Sequence, residues 1–180
     1  MSDSNIITAR EGNAASARAR RTRLARKYRP QEIDLLLVAE APPAALDRYF
    51  YFSDVATQDS LFRYVVRTVL TTEPRRDRKK EQLEALQRAG VFLVDLSLDP
   101  DFGPLSGYVS GLIRRIRALK PRRIILVKAS VYDAAFAALN DACLPVLDAR
   151  IPFPGSGHQI EFEKAMRLAL KRKPSKGTGC

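Results

Sequence analysis

At 180 residues with a net charge of +11, the chain is long enough for one domain with a real core and basic enough to suggest an anionic partner. No apolar run approaches the ~20 residues of a membrane span, and Met1 is followed by polar residues rather than a signal-peptide core. A cytoplasmic protein without membrane association is therefore expected. Cys143, Cys180 and His158 are the only cysteines and the only histidine, too few for a zinc or cluster site, so no metal and no cofactor is expected.

The positive charge sits in three stretches: Arg10 to Arg29, "RRDRKK" (75–80) and "KRKPSK" (171–176). Together they exceed the net charge of the whole chain, which leaves the remainder mildly acidic. Such stretches are an electrostatic footprint for nucleic acid, although solvated tails and a solvated helix face would read the same way. They lack the Leu, Phe and Trp face that insertion into a membrane surface needs.

Residues 1–12 read as a disordered tail. Asn13 can cap a basic, Ala- and Arg-rich helix to about Lys27, within a segment 13–30 that Pro30 closes. The single α/β domain then runs over 31–172, followed by a flexible basic tail over 173–180. Its first strand, "IDLLLVAE", is almost continuously apolar, as in a parallel strand covered on both faces. Thr57 or Asp59 opens a helix with Leu61, Tyr64, Val65 and Thr68 on one face. Pro74 opens the next, which ends at Gly90. "VFLVDLS" is the second strand, and a helix follows with Val109, Leu112, Ile113 and Ile116 inward. "RRIILVKA" is the third strand, "SVYDAAFAALNDA" a helix and "LPVLDA" a short fourth strand. A last helix places Ile160, Phe162, Ala165, Met166 and Ala169 in one stripe. Strands alternating with helices predict an α/β fold with a mainly parallel central sheet of about four strands.

In open parallel sheets, ligands bind beyond the carboxyl ends of the strands. Glu40 follows the first strand and Asp95 ends the second. "IPFPGSGH" (151–158), carrying His158, follows the fourth. Glu40 could serve chemistry, or simply cap a nearby amide. "DRYFYF" (47–52) lies between a Pro-rich turn and a helix cap, where Phe50 or Phe52 could be core or a stacking platform for a planar base. Gly155, Ser156 and Gly157 precede a helix amino terminus, where backbone amides favour an anion. The elbow pattern of a serine nucleophile is absent.

"LLLVAEAPP", "VFLVDLSLDP" and "IPFPGSGHQIEF", in that order, resemble the active-site motifs of the uracil-DNA glycosylase superfamily, the first being similar to its iron–sulfur branch. The similarity runs from about Ile33 to Leu170 and implies a three-layer α/β/α fold. It also implies a hydrolase that flips a deaminated or damaged base out of DNA and cleaves its N-glycosidic bond. By this resemblance Glu40 stands beside the sugar and His158 faces the departing base. Phe50, with Phe52 as the alternative, and Asp95 hold the base, while Gly155, Ser156 and Gly157 grip the DNA backbone. The sequence departs from the family in lacking the cluster cysteines and in carrying Asp95 where the family has asparagine. A non-catalytic member that binds nucleic acid or an abasic site remains open, as does an enzyme acting on small molecules.

Overall fold

The computed structural model describes residues 3–55, 59–101, 103–155 and 157–173. Three strands, β1 (Leu35–Ala39), β2 (Val91–Asp95) and β3 (Ile124–Leu126), pair in parallel in the order β2-β1-β3. Leu37 lies opposite Leu93 on one side and Ile125 on the other. Every residue of β1 is buried, because the central strand is covered on both faces; this is why its sequence does not alternate. The expected fourth strand is not formed. "LPVLDA" is reduced to one parallel bridge, Val146 to Ile124, and a second bridge joins Ile151 to Val127. Pro145 has no N–H to give a ladder. The amides of Val146 and Ala149 turn inward on their own segment, donating to Leu144 O at 2.7 Å and Leu147 O at 2.9 Å.

The helices are α1 (Asp3–Lys27), α2 (Ser60–Val65), α3 (Lys79–Arg88), α4 (Val109–Leu119), α5 (Ala129–Asp141) and α6 (Gln159–Leu170). α1 begins well before Asn13, which is therefore an interior position and not its cap. α2 starts where Asp59 accepts a hydrogen bond from the Phe62 amide at 3.2 Å, and it runs on as a π-helical turn, Val66–Leu70. α3 gives way at Gly90, whose φ of 71° disfavours any residue with a side chain; a Cβ there would also stand 2.6 Å from Asp34 Oδ2. α2 and its π turn pack with α3 and α6, while α4 packs with α5, which lies on β3. The stripe expected on α6 is corrected at one position. Phe162, Met166 and Ala169 are buried but Ile160 is exposed, since residues two apart on a helix point to opposite sides. No helix among the described residues is long and apolar enough to cross a membrane.

β2 is the edge strand on one side, and the aromatic segment closes that edge. The buried Tyr51 hydroxyl donates to Leu93 O at 3.0 Å and accepts from Leu93 N at 2.6 Å. One phenol thus satisfies both backbone groups of a residue that a further strand would otherwise pair. Its ring stacks on Tyr28 at the end of α1, 6.1 Å between centroids, and Gln87 of α3 donates to Lys27 O and Arg29 O. The basic helix is anchored to the sheet through these contacts. Replacing Tyr51 by Phe removes one oxygen and strands two buried backbone groups, so urea unfolding should show a loss of about 2–4 kcal/mol, well above that of an ordinary side-chain hydrogen bond.

Candidate functional site

The chain leaves β1 toward β2 on one side and returns to β3 on the other, which makes the carboxyl ends of these strands the topological switch point of the sheet. A cavity of about 360 Å3 opens there, at the small end of the ~300–1,000 Å3 typical of ligand sites. Glu40, Phe50, Asp59, Asp95, Lys128 and Phe153 contribute to its lining. One acid therefore comes from the tip of β1, a second from β2, and a cation from the tip of β3.

The strand ladder continues past the named strands and sets the backbone of this site. Leu96 N donates to Ala39 O at 2.7 Å and Ser97 N to Glu40 O at 2.9 Å. On the other side Val127 N donates to Val38 O at 2.8 Å, and Lys128 N to Ile151 O at 3.1 Å. Glu40 and Lys128 are thus held across the switch point. Glu40 Oε1 accepts from the Ser130 hydroxyl at 2.7 Å, and Oε2 pairs with Lys128 Nζ. Lys128 has φ 92° and ψ 134°, close to a backbone region that essentially only glycine populates and that costs of order 1–3 kcal/mol. Its side chain keeps 39% of its exposure, so the ammonium is both paired and reachable.

Asp95 is set differently. Burial pushes its carboxyl up to about 7; Arg115 and Arg21 pull it down in part, and Asp59 adds to the rise. Neither guanidinium reaches the carboxyl by hydrogen bond among the described residues. Arg115 donates to Asp95 O and Leu96 O, both at 2.8 Å, and Arg21 to Pro43 O at 3.2 Å. Tyr49 stands beside them, its phenol pushed upward by burial and by the Asp95 charge. The wall next to this group is built by Asp59, which pairs at 3.4 Å with the fully buried Lys79 ammonium. Burial raises that acid and lowers that amine.

Of the residues singled out in the sequence, Glu40, Phe50 and Asp95 line this cavity. Phe50 is a buried ring, packed edge-on against Tyr51 at 5.0 Å and Phe62 at 5.4 Å, so it forms a wall rather than a loose platform. Phe52 lies outside the lining and carries the Arg20 guanidinium 5.5 Å from its ring centroid. His158 is exposed at the start of α6 and is not part of the lining; its amide donates to Gly155 O and its carbonyl accepts from Phe162 N. Gly157 is exposed with φ 91°. Gly155 lacks a Cβ where one would meet the Phe153 ring at 3.1 Å, so its smallness seats that ring at the cavity. Ser156 lies outside the described residues. Lys128, Ser130, Asp59 and Phe153 were not singled out from the sequence. The strand-end rule that pointed to Glu40 and Asp95 applies equally to Lys128, which follows "IILV". Among the described residues no group of three or more His, Cys, Asp or Glu side chains is placed to hold a metal ion.

No protein-family model matches this chain, and no curated protein matches it.

The raised Asp95 carboxyl has a definite consequence for stability. Between its unfolded value of 3.8 and about 7 the folded protein binds more protons than the unfolded chain, so stability falls as pH rises through that window. At about 1.4 kcal/mol per unit the full shift corresponds to a few kcal/mol. Chemical denaturation at pH 5.5 and pH 8 should show Asp95→Asn gaining about 2 kcal/mol on the parent between the two, roughly half of the full shift being already expressed at pH 5.5.

Proposed function

We propose that the chain is a DNA glycosylase-like hydrolase of the uracil-DNA glycosylase type, which binds DNA and cleaves the N-glycosidic bond of a flipped-out deaminated or damaged base. The observation that carries it is the meeting of Glu40, Asp95 and Phe50 around one cavity at the carboxyl ends of parallel strands. The order β2-β1-β3, with Val146 bridging on the far side of β3, is compatible with the three-layer architecture of that superfamily.

In this proposal the base enters the cavity against Phe50, with Phe153 at its side and Asp95 facing a ring edge. Departure of the base leaves positive charge on the sugar and negative charge on the heterocycle. Glu40, oriented by Ser130 and Lys128, stands as the carboxylate that stabilises the sugar cation or orients water. His158 is not part of the lining, so this reading does not rely on it for the leaving base. A protonated Asp95 supplies a donor in its place, because its carboxyl titrates near neutrality. The exposed arginines of α1, among them Arg20, Arg23 and Arg26, suit the phosphate backbone, and binding through them should weaken steeply with salt.

A second reading is favoured by one observation. Both carboxylate oxygens of Glu40 are already engaged by Lys128 and Ser130, as suits a protein that binds a base or an abasic site without turnover. Duplexes carrying uracil, hypoxanthine or xanthine separate the two. Free base should be released from at least one of them, Glu40→Gln should lower that rate by about 10²–10⁴, and the parent rate should fall above pH 7 as Asp95 ionises. Absence of release by folded protein, with duplex affinity unchanged in Glu40→Gln, would establish the binding role instead.

A further inference from the structure

The least expected feature of the cavity is Lys128. A lysine occupies a backbone conformation suited to glycine, φ 92° and ψ 134°, at the second position beyond β3. The tertiary structure sustains that strain through the Val127-to-Val38 and Lys128-to-Ile151 hydrogen bonds, and strain of this kind gathers at functional positions. Its effect is to carry a primary amine into the cavity and onto Glu40. The pair is a nucleophile next to a proton acceptor, the arrangement by which a lysine forms an imine with a carbonyl carbon. Lys79, also in this region, is fully buried on Asp59 and Tyr49 O and has no such access.

We propose that Lys128 is a catalytic amine that captures the aldehyde of an abasic deoxyribose and cuts the strand on its 3′ side. This rests on the proposed placement of the sugar beside Glu40. Glu40 takes a proton from the ammonium, and the freed amine attacks C1′ of the ring-opened sugar, forming the C–N bond. The C1′=O π pair moves to oxygen, which takes one proton from the attacking nitrogen and one from Glu40 and leaves as water, giving the iminium. Glu40 then removes a C2′ proton; the electron pair forms the C2′–C3′ double bond as the C3′–O bond breaks and the 3′ phosphate departs. Water hydrolyses the imine, which returns the amine and the unsaturated aldehyde. No oxidant or metal enters the balance.

The experiment starts from a duplex that already contains an abasic site, so it does not depend on base release. The full chain is incubated with that duplex and sodium borohydride, and the covalent adduct is mapped by peptide mass spectrometry; strand cleavage is read in parallel without reductant. The adduct should map to Lys128. Lys128→Arg and Lys128→Gly should lose both adduct and cleavage, the glycine variant also relieving the backbone strain so that it melts no lower than the parent. Glu40→Gln should slow cleavage by about 10²-fold. Absence of an adduct, an adduct on another lysine or on the terminal amine, or full trapping of the folded Lys128→Gly protein would each overturn the proposal. Base release from an intact altered duplex, measured on the same preparations, reports separately on the glycosylase reading.

Discussion

The arrangement depends on one constraint: β1 is paired on both sides, and its pairing does not stop where the strand does. Because Ala39 and Glu40 still accept amides from the segment after β2, the first acid beyond the strand has a set backbone. The matching hydrogen bond from Val127 to Val38 does the same for the first cation beyond β3. Glu40 and Lys128 come from positions 88 residues apart, yet their relative placement follows from a continuous ladder rather than from loop conformation. A site built on strand ends of this kind is better determined than one built on loops.

Around that ladder the protein keeps several charges out of water. Lys79 and Asp59 pair behind the cavity, and Arg21 and Arg115 spend their donors on backbone carbonyls beside Asp95. Burial of such groups is unfavourable unless they are paired, and it contributes little to net stability. What it does produce is an acid at the cavity with a proton affinity far from that of a surface aspartate. The two acids therefore have different environments: Glu40 is held by an ammonium and a hydroxyl, whereas the Asp95 carboxyl is buried and feels the charges of Arg115, Arg21 and Asp59. Division of labour between two carboxyl groups starts from such a difference in surroundings.

The aromatic segment "DRYFYF" serves structure more than its loop-like flanks suggest. Tyr49, Phe50 and Tyr51 are all buried, and Tyr51 closes the edge of β2 through Leu93. A single wall of this cluster faces the cavity at Tyr49 and Phe50. The ring with an exposed face at the cavity is Phe153, from the segment in which the histidine had drawn attention. Sequence position could not separate these cases, because an aromatic residue in a turn between two prolines and a helix cap has the same composition whether it packs inward or outward.

The alternation of apolar strands with amphipathic helices, the buried β1, the cap at Asp59 and the glycine stop at Gly90 are local properties, and local chemistry determines them; so the α/β class and the positions of Glu40 and Asp95 at strand tips were legible in the chain itself. The number of strands was not, because whether "LPVLDA" forms a ladder depends on where Pro145 and its neighbours direct their few amides. Nor were the placements of His158 and Lys128. A helix start can lie at a cavity or beside it, and only packing chose the latter for His158. The left-handed turn of Lys128 is paid for by hydrogen bonds to residues far away in sequence, so no local pattern could announce it.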